Sequence, residues 1–266
     1  MTTSSRLDVW MAERGLTESR SRAQALIMAG RVLVDGTVVT KAGTAVPAGA
    51  AVELVAPPRY VSRGGEKLET ALRAFAVDPA GECCLDIGSS TGGFTDCLLQ
   101  HGAAHVIALD VGRNQLHERL RADPRVTVME GTNARRLEPG ALEYAPTLIT
   151  ADVSFISLRL VLPAAIACSD PVWRALVLVK PQFEAGRSDV RGGVVRDPDV
   201  RRRVLREFCA FVTAAGAAVL GVCDSCLPGP AGNHEYVVYV AAAGHPAAEE
   251  REVDVERAIA DAVASA

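Results

Sequence analysis

The 266-residue sequence has no long apolar segment. Its longest uncharged apolar stretch, Ala210 to Cys223, is too short to span a bilayer and contains Gly216, where a helix would give way to a strand. The first five residues also lack the charged-then-apolar layout of a signal peptide. We therefore expect a protein that does not enter a membrane.

A disulfide or metal pattern of cysteines is lacking too. The seven cysteines are odd in number and irregular in spacing, which favours reduced thiols in a cytoplasmic protein. Cys223-x-x-Cys226 suggests a metal site, but no second pair and no His-x-His partner accompanies it. We expect a cytoplasmic protein, a monomer, that holds no metal.

The chain has no excess of positive charge. Its net charge is −4, and its 49% hydrophobic and 23% charged residues are ordinary for a globular protein. Residues 1–67 contain nine Lys and Arg against six Asp and Glu, a balance of +3, which leaves −7 for the remainder. Nucleic-acid binding must therefore come from local basic patches, and the segregated charge suits an N-terminal part that holds phosphates. A solvated face would explain the charge alone equally well.

The chain does contain a glycine-rich turn between a strand and a helix. The apolar run 83–87 predicts a buried strand, and Phe94, Cys97 and Leu98 recur at helical spacing after the turn. The spacing Gly-x-x-x-Gly-Gly after an acidic residue differs from the Gly-x-Gly-x-x-Gly of dinucleotide enzymes, which favours S-adenosylmethionine over NAD. We call this strand, turn and helix start the cradle. Its candidate cofactor-binding residues are Asp86, Gly88, Ser89, Ser90, Gly92, Gly93 and Phe94.

A small module precedes this turn. Residues 6–13 and 19–30 each predict a short helix, with the second beginning near Ser19 or Ser21. Alternating valines then run into Asp35-Gly36, a strong hairpin signal, and a further strand is predicted at 51–55. Residues 1–58 are therefore predicted as an α+β domain. Residues 59–65 are predicted as a linker with a flexible end at Gly64-Gly65.

From residue 83 onward, seven apolar runs alternate with helical stretches. The pattern predicts an α/β fold over residues 66–245, with a seven-stranded, doubly wound sheet that is similar to the Rossmann-like sheet of class I methyltransferases. The last two runs are joined by a loop over 224–234 without room for a helix, so the last strand should be antiparallel. Residues 246–266 are predicted as a C-terminal helix or tail. The runs are 83–87, 105–111, 126–129, 148–151, 175–179, 217–222 and 236–240.

Polar residues fall where the predicted strands meet one edge of the sheet. Parallel strands bring their carboxyl ends together, and the antiparallel last strand brings its beginning to the same edge. The residues at these positions are Asp86, Asp110, Asp152, Lys180 and Glu235. Such convergence on one crevice predicts a ligand site.

The cofactor-facing roles can be separated by position. Asp110 follows Gly88 by about twenty residues, the place from which a carboxylate accepts both ribose hydroxyls of a nucleoside. Asp86 is expected to orient the glycine-rich turn and, through water, the methionine ammonium group. Asn133, after the third strand, is expected to hydrogen-bond adenine through its amide.

Two family resemblances follow from longer motifs. The N-terminal module, with Arg6-Leu-Asp, Ser21-Arg22 and Gly30-x-Val32-x-Val34-x-Gly36, resembles an S4-type RNA-binding domain. Lys67, Asp152, Lys180 and Glu235 are similar to the Lys-Asp-Lys-Glu tetrad of ribose 2′-O-methyltransferases. The candidate RNA contacts in the module and linker are Arg6, Arg20, Arg22, Lys41, Arg59 and Arg63. The Arg-rich segment 187–206 is a third basic group, although Arg201 to Arg203 could be a solvated helix face.

Residues 6 to about 243 resemble the TlyA family, in which an S4-type domain precedes an FtsJ-like methyltransferase domain. The resemblance is carried by Ser62-Arg-Gly-Gly-Glu-Lys-Leu, Asp86-Ile-Gly-Ser-Ser-Thr-Gly-Gly-Phe-Thr-Asp, Asp152-Val-Ser-Phe-Ile-Ser, Val179-Lys-Pro-Gln-Phe-Glu and Gly232-Asn-His-Glu-Tyr. It implies cytidine 2′-O-methylation in 16S and 23S ribosomal RNA, with consequences for sensitivity to capreomycin-type antibiotics. Members also carry the label haemolysin.

The tetrad implies chemistry at a ribose hydroxyl, which must lose its proton as it attacks a sulfonium methyl group. Lys180 is the candidate base or hydroxyl-orienting group; free lysine, with a pKa near 10.4, is almost wholly protonated at neutral pH. Because Lys67 follows Gly64-Gly65, movement of the linker could bring it into the tetrad on RNA binding.

Three other functions stay open at this point. A base-methylating RNA enzyme would normally show Asn/Asp-Pro-Pro-aromatic after the fourth strand, where this chain has Asp152-Val-Ser-Phe. An RNA-binding protein with a relic methyltransferase fold should have lost the tetrad. A membrane-active haemolysin would release dye from liposomes, but the sequence has no spanning segment and no strongly amphipathic lytic helix.

Overall fold

The computed structural model describes residues 5–56, 58–229, 231–250 and 253–266. Contacts divide the chain into two compact units, Met1–Pro58 and Arg59–Ala266. The smaller unit has a hydrophobic core of its own, and the larger unit has two clusters of buried residues. Both units therefore have the internal packing of a domain.

The smaller unit packs two short helices against short strands. Ser19 Oγ accepts a hydrogen bond from the backbone N–H of Arg22, so Ser19 caps the second helix. Asp35 and Gly36 have φ of +49° and +76°, the left-handed conformations of a tight hairpin turn, which confirms the hairpin. The elements are β1 (Ser5–Arg6), α1 (Leu7–Glu13), α2 (Arg20–Met28), β2 (Val32–Val34), β3 (Thr37–Val38), β4 (Ala45–Val46) and β5 (Val52–Leu54).

The larger unit is built on a seven-stranded sheet in the order β11-β12-β10-β9-β6-β7-β8. Neighbours from β6 to β10 run parallel, and β12 is antiparallel to both β10 and β11, which confirms the predicted doubly wound arrangement. The strands are β6 (Cys83–Ile87), β7 (His105–Asp110), β8 (Val126–Glu130), β9 (Leu148–Ala151), β10 (Arg174–Val179), β11 (Ala217–Asp224) and β12 (Tyr236–Ala242).

Helices cover both faces of this sheet. Successive strand residues point to opposite faces, so Cys84 joins the cluster that contains α3 and α4, whereas Leu85 and Ile87 join the cluster that contains α6, α8 and α10. The helices are α3 (Gly64–Phe75), α4 (Gly93–Gln100), α5 (Glu118–Arg121), α6 (Leu162–Ala167), α7 (Pro181–Glu184), α8 (Pro198–Ala214), α9 (Pro246–Glu250) and α10 (Val255–Ala264).

Strand register brings the polar strand ends together. Ile87 lies beside Ala151 in the parallel pair of β6 and β9, so the next residues, Gly88 and Asp152, are neighbours at the carboxyl edge. Val179 lies opposite Tyr236 in the antiparallel pair of β10 and β12. Lys180 and Glu235, one residue beyond each, therefore reach the same edge.

The linker predicted over residues 59–65 is instead packed into the larger unit. Tyr60 is buried, and the backbone N–H of Val61 donates to Asp96 Oδ2 at 2.8 Å. Gly64 and Gly65 form the first turn of α3, and a Cβ on Gly65 would lie 2.3 Å from Tyr60 Cγ. Gly65 thus permits close contact between the helix and the tyrosine ring, and movement of this segment on RNA binding stays a prediction.

The C-terminal residues belong to the larger unit as well. The segment predicted as a helix or tail over 246–266 contains α9 and α10. Ile259, Ala262 and Val263 of α10 are buried in the same cluster as α8. The apolar spacing that predicted a terminal helix therefore belongs to the side of α10 that faces the core.

Candidate active site

The turn after β6 needs glycine for its backbone conformation and for close approach. Gly88 has φ +79°, and a Cβ there would lie 2.5 Å from the carbonyl oxygen of Asp152. Gly92 has φ +96° at the start of α4, and a Cβ on Gly93 would lie 2.2 Å from Ser62 Oγ. The three predicted glycines therefore let the turn adopt left-handed backbone conformations and pack closely against neighbouring residues.

The serines of the turn differ in their surroundings. The N–H of Ser90 donates to Asp110 Oδ2 at 2.8 Å, which ties the turn to the next strand. Ser89 is 5% exposed, and its buried Oγ has no hydrogen-bond partner among the residues that the structure describes. Phe94 is buried behind the turn, and it lines a second cavity together with Ser89. A buried hydroxyl without a partner is expected where a polar ligand completes the site.

Asp86 lies behind the turn rather than in the crevice. It is fully buried; Oδ2 accepts from Thr95 Oγ1 at 2.6 Å and Oδ1 accepts from Thr150 Oγ1 at 3.0 Å. Burial, assisted by the charge of Asp152, raises the pKa of Asp86 to about 7 although both threonines oppose the shift. Asp86 therefore joins β6 to α4 and β9, which suits the predicted role of orienting the turn.

Asp110 ends β7 and lines the cavity between the glycine-rich turn and the loop after β7. Its Oδ1 accepts from the N–H of Gly112 at 2.6 Å, and its Oδ2 accepts from that of Ser90. An ionised carboxylate has about four acceptor positions, so both oxygens can still accept from ribose hydroxyls. The position suits the predicted nucleoside contact.

Glu130 is a structural residue of the site that the sequence analysis missed. At the end of β8, its carboxylate accepts from the N–H groups of Asn114, Gln115 and Leu116 at 2.8 to 3.1 Å. These backbone hydrogen bonds and the ion pair with Arg121 lower the pKa of Glu130 to about 2. It fixes the loop that follows Asp110. Its position at a strand end was the available signal, one residue beyond the predicted run.

A cavity of about 550 Å³ lies between the glycine-rich turn and this loop. Asn133 is on its wall, but its side-chain oxygen already accepts from the N–H of Arg135 at 3.1 Å. Only the amide N–H donors of Asn133 are therefore suited to an adenine ring nitrogen. The other lining residues include Gly88, Ser90, Leu109, Asp110, Val111, Asp152 and Ile156.

The four tetrad residues meet in an adjoining cavity of about 270 Å³. Lys67 Nζ is 2.5 Å from Glu235 Oε2, and Lys180 Nζ is 2.5 Å from Asp152 Oδ1. Lys67, Lys180 and Glu235 are each less than 10% exposed. Buried charges of this kind require opposite partners, and the structure provides two cation–anion pairs. Lys67 pairs with Glu235 without any movement of the preceding segment.

Two further residues shape the tetrad and were missed from sequence. Lys180 Nζ also donates to Ser154 Oγ at 2.9 Å. A Cβ on Gly229 would lie 2.5 Å from Glu235 Oε1, so this glycine allows the loop to close over the carboxylate. Ser154 lies within the motif Asp152-Val-Ser-Phe-Ile-Ser. The proximity of Gly229 to Glu235 is set by the loop geometry and has no local sequence signal.

An exposed aromatic residue lines the first cavity. Phe155 is 90% exposed, has φ +63° and packs its ring 5.0 Å from that of Phe183, centre to centre. Glu184 accepts from Ser157 Oγ at 2.6 Å and from the N–H of Leu158 at 2.7 Å, which fastens the loop. A positive φ at a non-glycine residue and an exposed ring are both costly, so this loop is a candidate part of the site.

The predicted RNA contacts are exposed but differ in their partners. In the smaller unit Arg6 and Arg20 pair with Asp8, while Arg22 and Lys41 are exposed. In the larger unit Arg63 lines the tetrad cavity. Arg59 pairs with Glu69 and lies 5.2 Å from the centre of the Tyr60 ring.

In the third basic group, segment 187–206, three of the seven arginines are paired with acids. Arg202, Arg203 and Arg206 pair with Asp199, Asp189 and Glu256. Arg201 is buried and donates to the Tyr236 hydroxyl at 3.2 Å, so Arg201 does not belong to a solvated face.

Two observations suit S-adenosylmethionine in the first cavity. The glycine-rich turn lines it at Gly88 and Ser90, and Asp110 presents a carboxylate on its wall. The buried Ser89 hydroxyl without a partner lies at the adjoining tetrad cavity. The tetrad cavity shares Gly88, Ser90, Asp152 and Ser154 with the first cavity. A reacting group held in the tetrad would therefore adjoin a ligand held in the cradle.

Comparison with known proteins defines the class. Residues 60–242 match the model of FtsJ-like methyltransferases, and residues 5–52 match that of the S4 domain. The fold and the cradle are thus those of a methyltransferase joined to an S4 domain.

The chain belongs to the TlyA family. It is 48% identical over 238 residues to the 16S/23S rRNA (cytidine-2′-O)-methyltransferase TlyA of Mycobacterium tuberculosis, covering 88% of this chain and 89% of that one. It is 42% identical over 236 residues to Hemolysin A of Brachyspira hyodysenteriae, covering 88% and 98%. A solved structure from Streptococcus thermophilus that bears the haemolysin name is 40% identical, with a TM-score of 0.75, and covers 100% of this chain and 96% of its own.

The described part of the chain shows neither a membrane-spanning helix nor a metal-binding group. None of its helices is both long and apolar enough to cross a membrane. Within residues 5–56, 58–229, 231–250 and 253–266, no group of three or more His, Cys, Asp and Glu side chains is arranged to hold a metal ion. All seven cysteines, including Cys223 and Cys226, are free thiols.

Proposed function

We propose that this protein transfers a methyl group from S-adenosylmethionine to the ribose 2′-hydroxyl of cytidine in 16S and 23S ribosomal RNA. The observation that carries the proposal is the tetrad, with both lysine amines 2.5 Å from a carboxylate and adjoining the nucleoside cradle. The printed activity of the Mycobacterium tuberculosis relative supports the ribosomal substrate. Altered sensitivity to capreomycin-type antibiotics and a cytoplasmic location are parts of the same proposal.

The cofactor, when bound, supplies an electrophilic methyl group on a sulfonium centre. Asp110 would hold its ribose, Asn133 would donate to its adenine, and the Gly88–Gly93 turn would lie against its methionine part. Ser89 Oγ, buried without a partner in the described chain, is the hydroxyl that this ligand would satisfy. Asp86 would act from behind the turn through Thr95.

The tetrad is proposed to prepare the acceptor hydroxyl. A lysine ammonium group has three N–H donors; Lys180 Nζ donates to Ser154 Oγ and is ion-paired with Asp152 Oδ1. A remaining N–H can point to the ribose oxygen, which supports the orienting role over that of a free base. The charge of Lys67 beside Glu235 would add to the stabilisation of the developing alkoxide in this buried place.

Variants separate the acceptor site from the cofactor site. Lys180→Ala and Asp152→Ala should abolish transfer of labelled methyl groups to ribosomal subunits while S-adenosylmethionine affinity stays within a few-fold. Asp110→Ala should weaken cofactor binding first. Asp78→Ala, an exposed aspartate outside both cavities, serves as the control. Near-normal turnover of either tetrad variant would refute the assigned roles.

A further inference from the structure

A buried carboxylate in the smaller unit holds two exposed arginines. Asp8, in the first turn of α1, is 0% exposed. Its Oδ1 accepts from Arg6 Nε at 3.0 Å, and its Oδ2 accepts from Arg6 Nη2 at 3.1 Å and from Arg20 Nε at 2.9 Å. Gln24 Nε2 donates to the same Oδ2 at 2.7 Å. One carboxylate therefore joins β1, α1 and α2 through three side chains.

One edge of each arginine's guanidinium group contacts Asp8, and the other edge faces the solvent. Their side chains are 52% and 55% exposed, so guanidinium N–H groups that Asp8 does not use face the solvent. Arg6 is further confined by Gly43, where a Cβ would lie 3.0 Å from Arg6 Nη1. The hydrogen bonds from Arg6 hold the pKa of Asp8 well below its usual range despite burial, so Asp8 stays ionised at physiological pH.

This arrangement differs from a simple neutralised pair. Two guanidinium groups on one carboxylate leave a net positive charge, and both lie on the same carboxylate with their outer edges exposed. Arginine presents planar N–H donors that match the oxygens of a phosphate, and a fixed plane loses little freedom on binding. By contrast, Arg22 on the same helix is exposed, and its side chain is outside this cluster.

We propose that Arg6, Asp8 and Arg20 form one preorganised site for a backbone phosphate of RNA, in which Asp8 is the positioning residue. The inference rests on the proposed RNA methylation and specifies how the small unit would hold its substrate. The proposal gives the buried Asp8 a function beneath a surface that would bind a polyanion, where charge alone would make an acidic residue unfavourable.

Lysine substitutions test positioning at constant charge. Arg6→Lys and Arg20→Lys keep the net charge but lose the planar donors, so full-length protein should bind purified ribosomal subunits about tenfold more weakly in each case. Arg14→Lys, at an exposed arginine of the same unit that is not among the predicted RNA contacts, is the matched control and should change the Kd less than twofold. Under methyl transfer conditions the two test variants should raise KM for subunits and leave kcat unchanged.

The direction in which Asp8→Asn changes the affinity for ribosomal subunits separates positioning from simple charge repulsion. The substitution adds one positive charge, so a residue that merely opposes phosphate binding would, when removed, leave tighter binding. Positioning predicts weaker binding, again by about tenfold, with a shallower salt dependence. Glu18→Gln, an exposed acid that precedes the same helix, makes the same charge change away from the arginines and should not weaken binding.

The outcomes separate this inference from the proposed function. Lysine variants that bind and turn over like the unmodified protein would overturn the Asp8 site and leave RNA methylation intact. Tighter binding by a folded Asp8→Asn protein would do the same. If Asp8→Asn unfolds the small unit, judged by its thermal melt, the lysine variants decide alone. Failure of the unmodified protein to bind ribosomal subunits would overturn both.

Discussion

Asp86→Asn should stabilise the larger unit at neutral pH, although it removes a fully buried and doubly hydrogen-bonded residue. Burial raises the pKa of Asp86 from its ordinary 3.8 to about 7. Below about pH 4 the carboxyl is neutral in both folded and unfolded chains. As pH rises towards 7, ionisation is favoured in the unfolded chain, so stability falls. The full loss above pH 7 is about 4 kcal/mol for a pKa difference of about three.

Asparagine can keep the surrounding hydrogen bonds. Its oxygen can take the place of Oδ2 and accept from Thr95, and its amide can take the place of Oδ1 and donate to Thr150 Oγ1. The variant should therefore gain stability over the unmodified protein, and this gain should be about 2.5 kcal/mol larger at pH 8 than at pH 5. The gain follows from removing a carboxylate that is costly to ionise in the interior.

Denaturant unfolding followed by tryptophan fluorescence measures this difference. The chain has Trp10 in the smaller unit and Trp173 in the larger, so a Trp10→Phe background reports the unit that contains Asp86. Asp123→Asn is a control of opposite sign, because hydrogen bonds from Arg125 lower the pKa of Asp123 and its carboxylate stabilises the fold. A stability gain for Asp86→Asn that is independent of pH, or a loss at pH 8, would refute the reasoning.

Three further predictions concern the site and the domains. Glu235→Gln should cost about 3–5 kcal/mol in denaturant unfolding, since it leaves the buried Lys67 charge without an anion; an unchanged midpoint would contradict this. Gly88→Ala should sharply weaken S-adenosylmethionine binding in a titration because its Cβ would meet the Asp152 carbonyl, whereas Gly81→Ala, with a similar φ of +75° and open space, should leave affinity intact. Deletion of residues 1–58 should leave a folded unit that binds cofactor but cannot methylate ribosomal subunits, and full-rate methylation by it would disprove this division.

The order and type of the strands could be predicted because each is a short apolar run with a clear end. The same ends brought Asp110, Asp152 and Lys180 to one edge, since parallel strands share the direction of their carboxyl ends. Glu235 could be placed at the same edge because the loop over 224–234 is too short for a crossover helix, which makes the last strand antiparallel. These inferences need only local pattern and the rules of sheet topology.

Other features depend on distant partners and could not be predicted locally. Gly65 looked like a flexible residue because the sequence does not show that Tyr60 packs against it. Glu130 holds three backbone N–H groups of a loop 14 to 16 residues away, and Asp8 reaches Arg20 across 12 residues. In each case the residue type is ordinary, and its role appears only when the fold supplies the neighbour.

The position of the transferred methyl group tests the central claim most directly. The full-length protein should be incubated with labelled S-adenosylmethionine and ribosomal subunits that lack the modification, and the RNA then digested for nucleoside mass spectrometry. The geometry of Lys67, Asp152, Lys180 and Glu235 predicts label on ribose, the proposed substrate predicts that it is found in 2′-O-methylcytidine, and the Lys180→Ala protein should give none. Label on a base, or label on ribose that survives Lys180→Ala at full yield, would contradict the account.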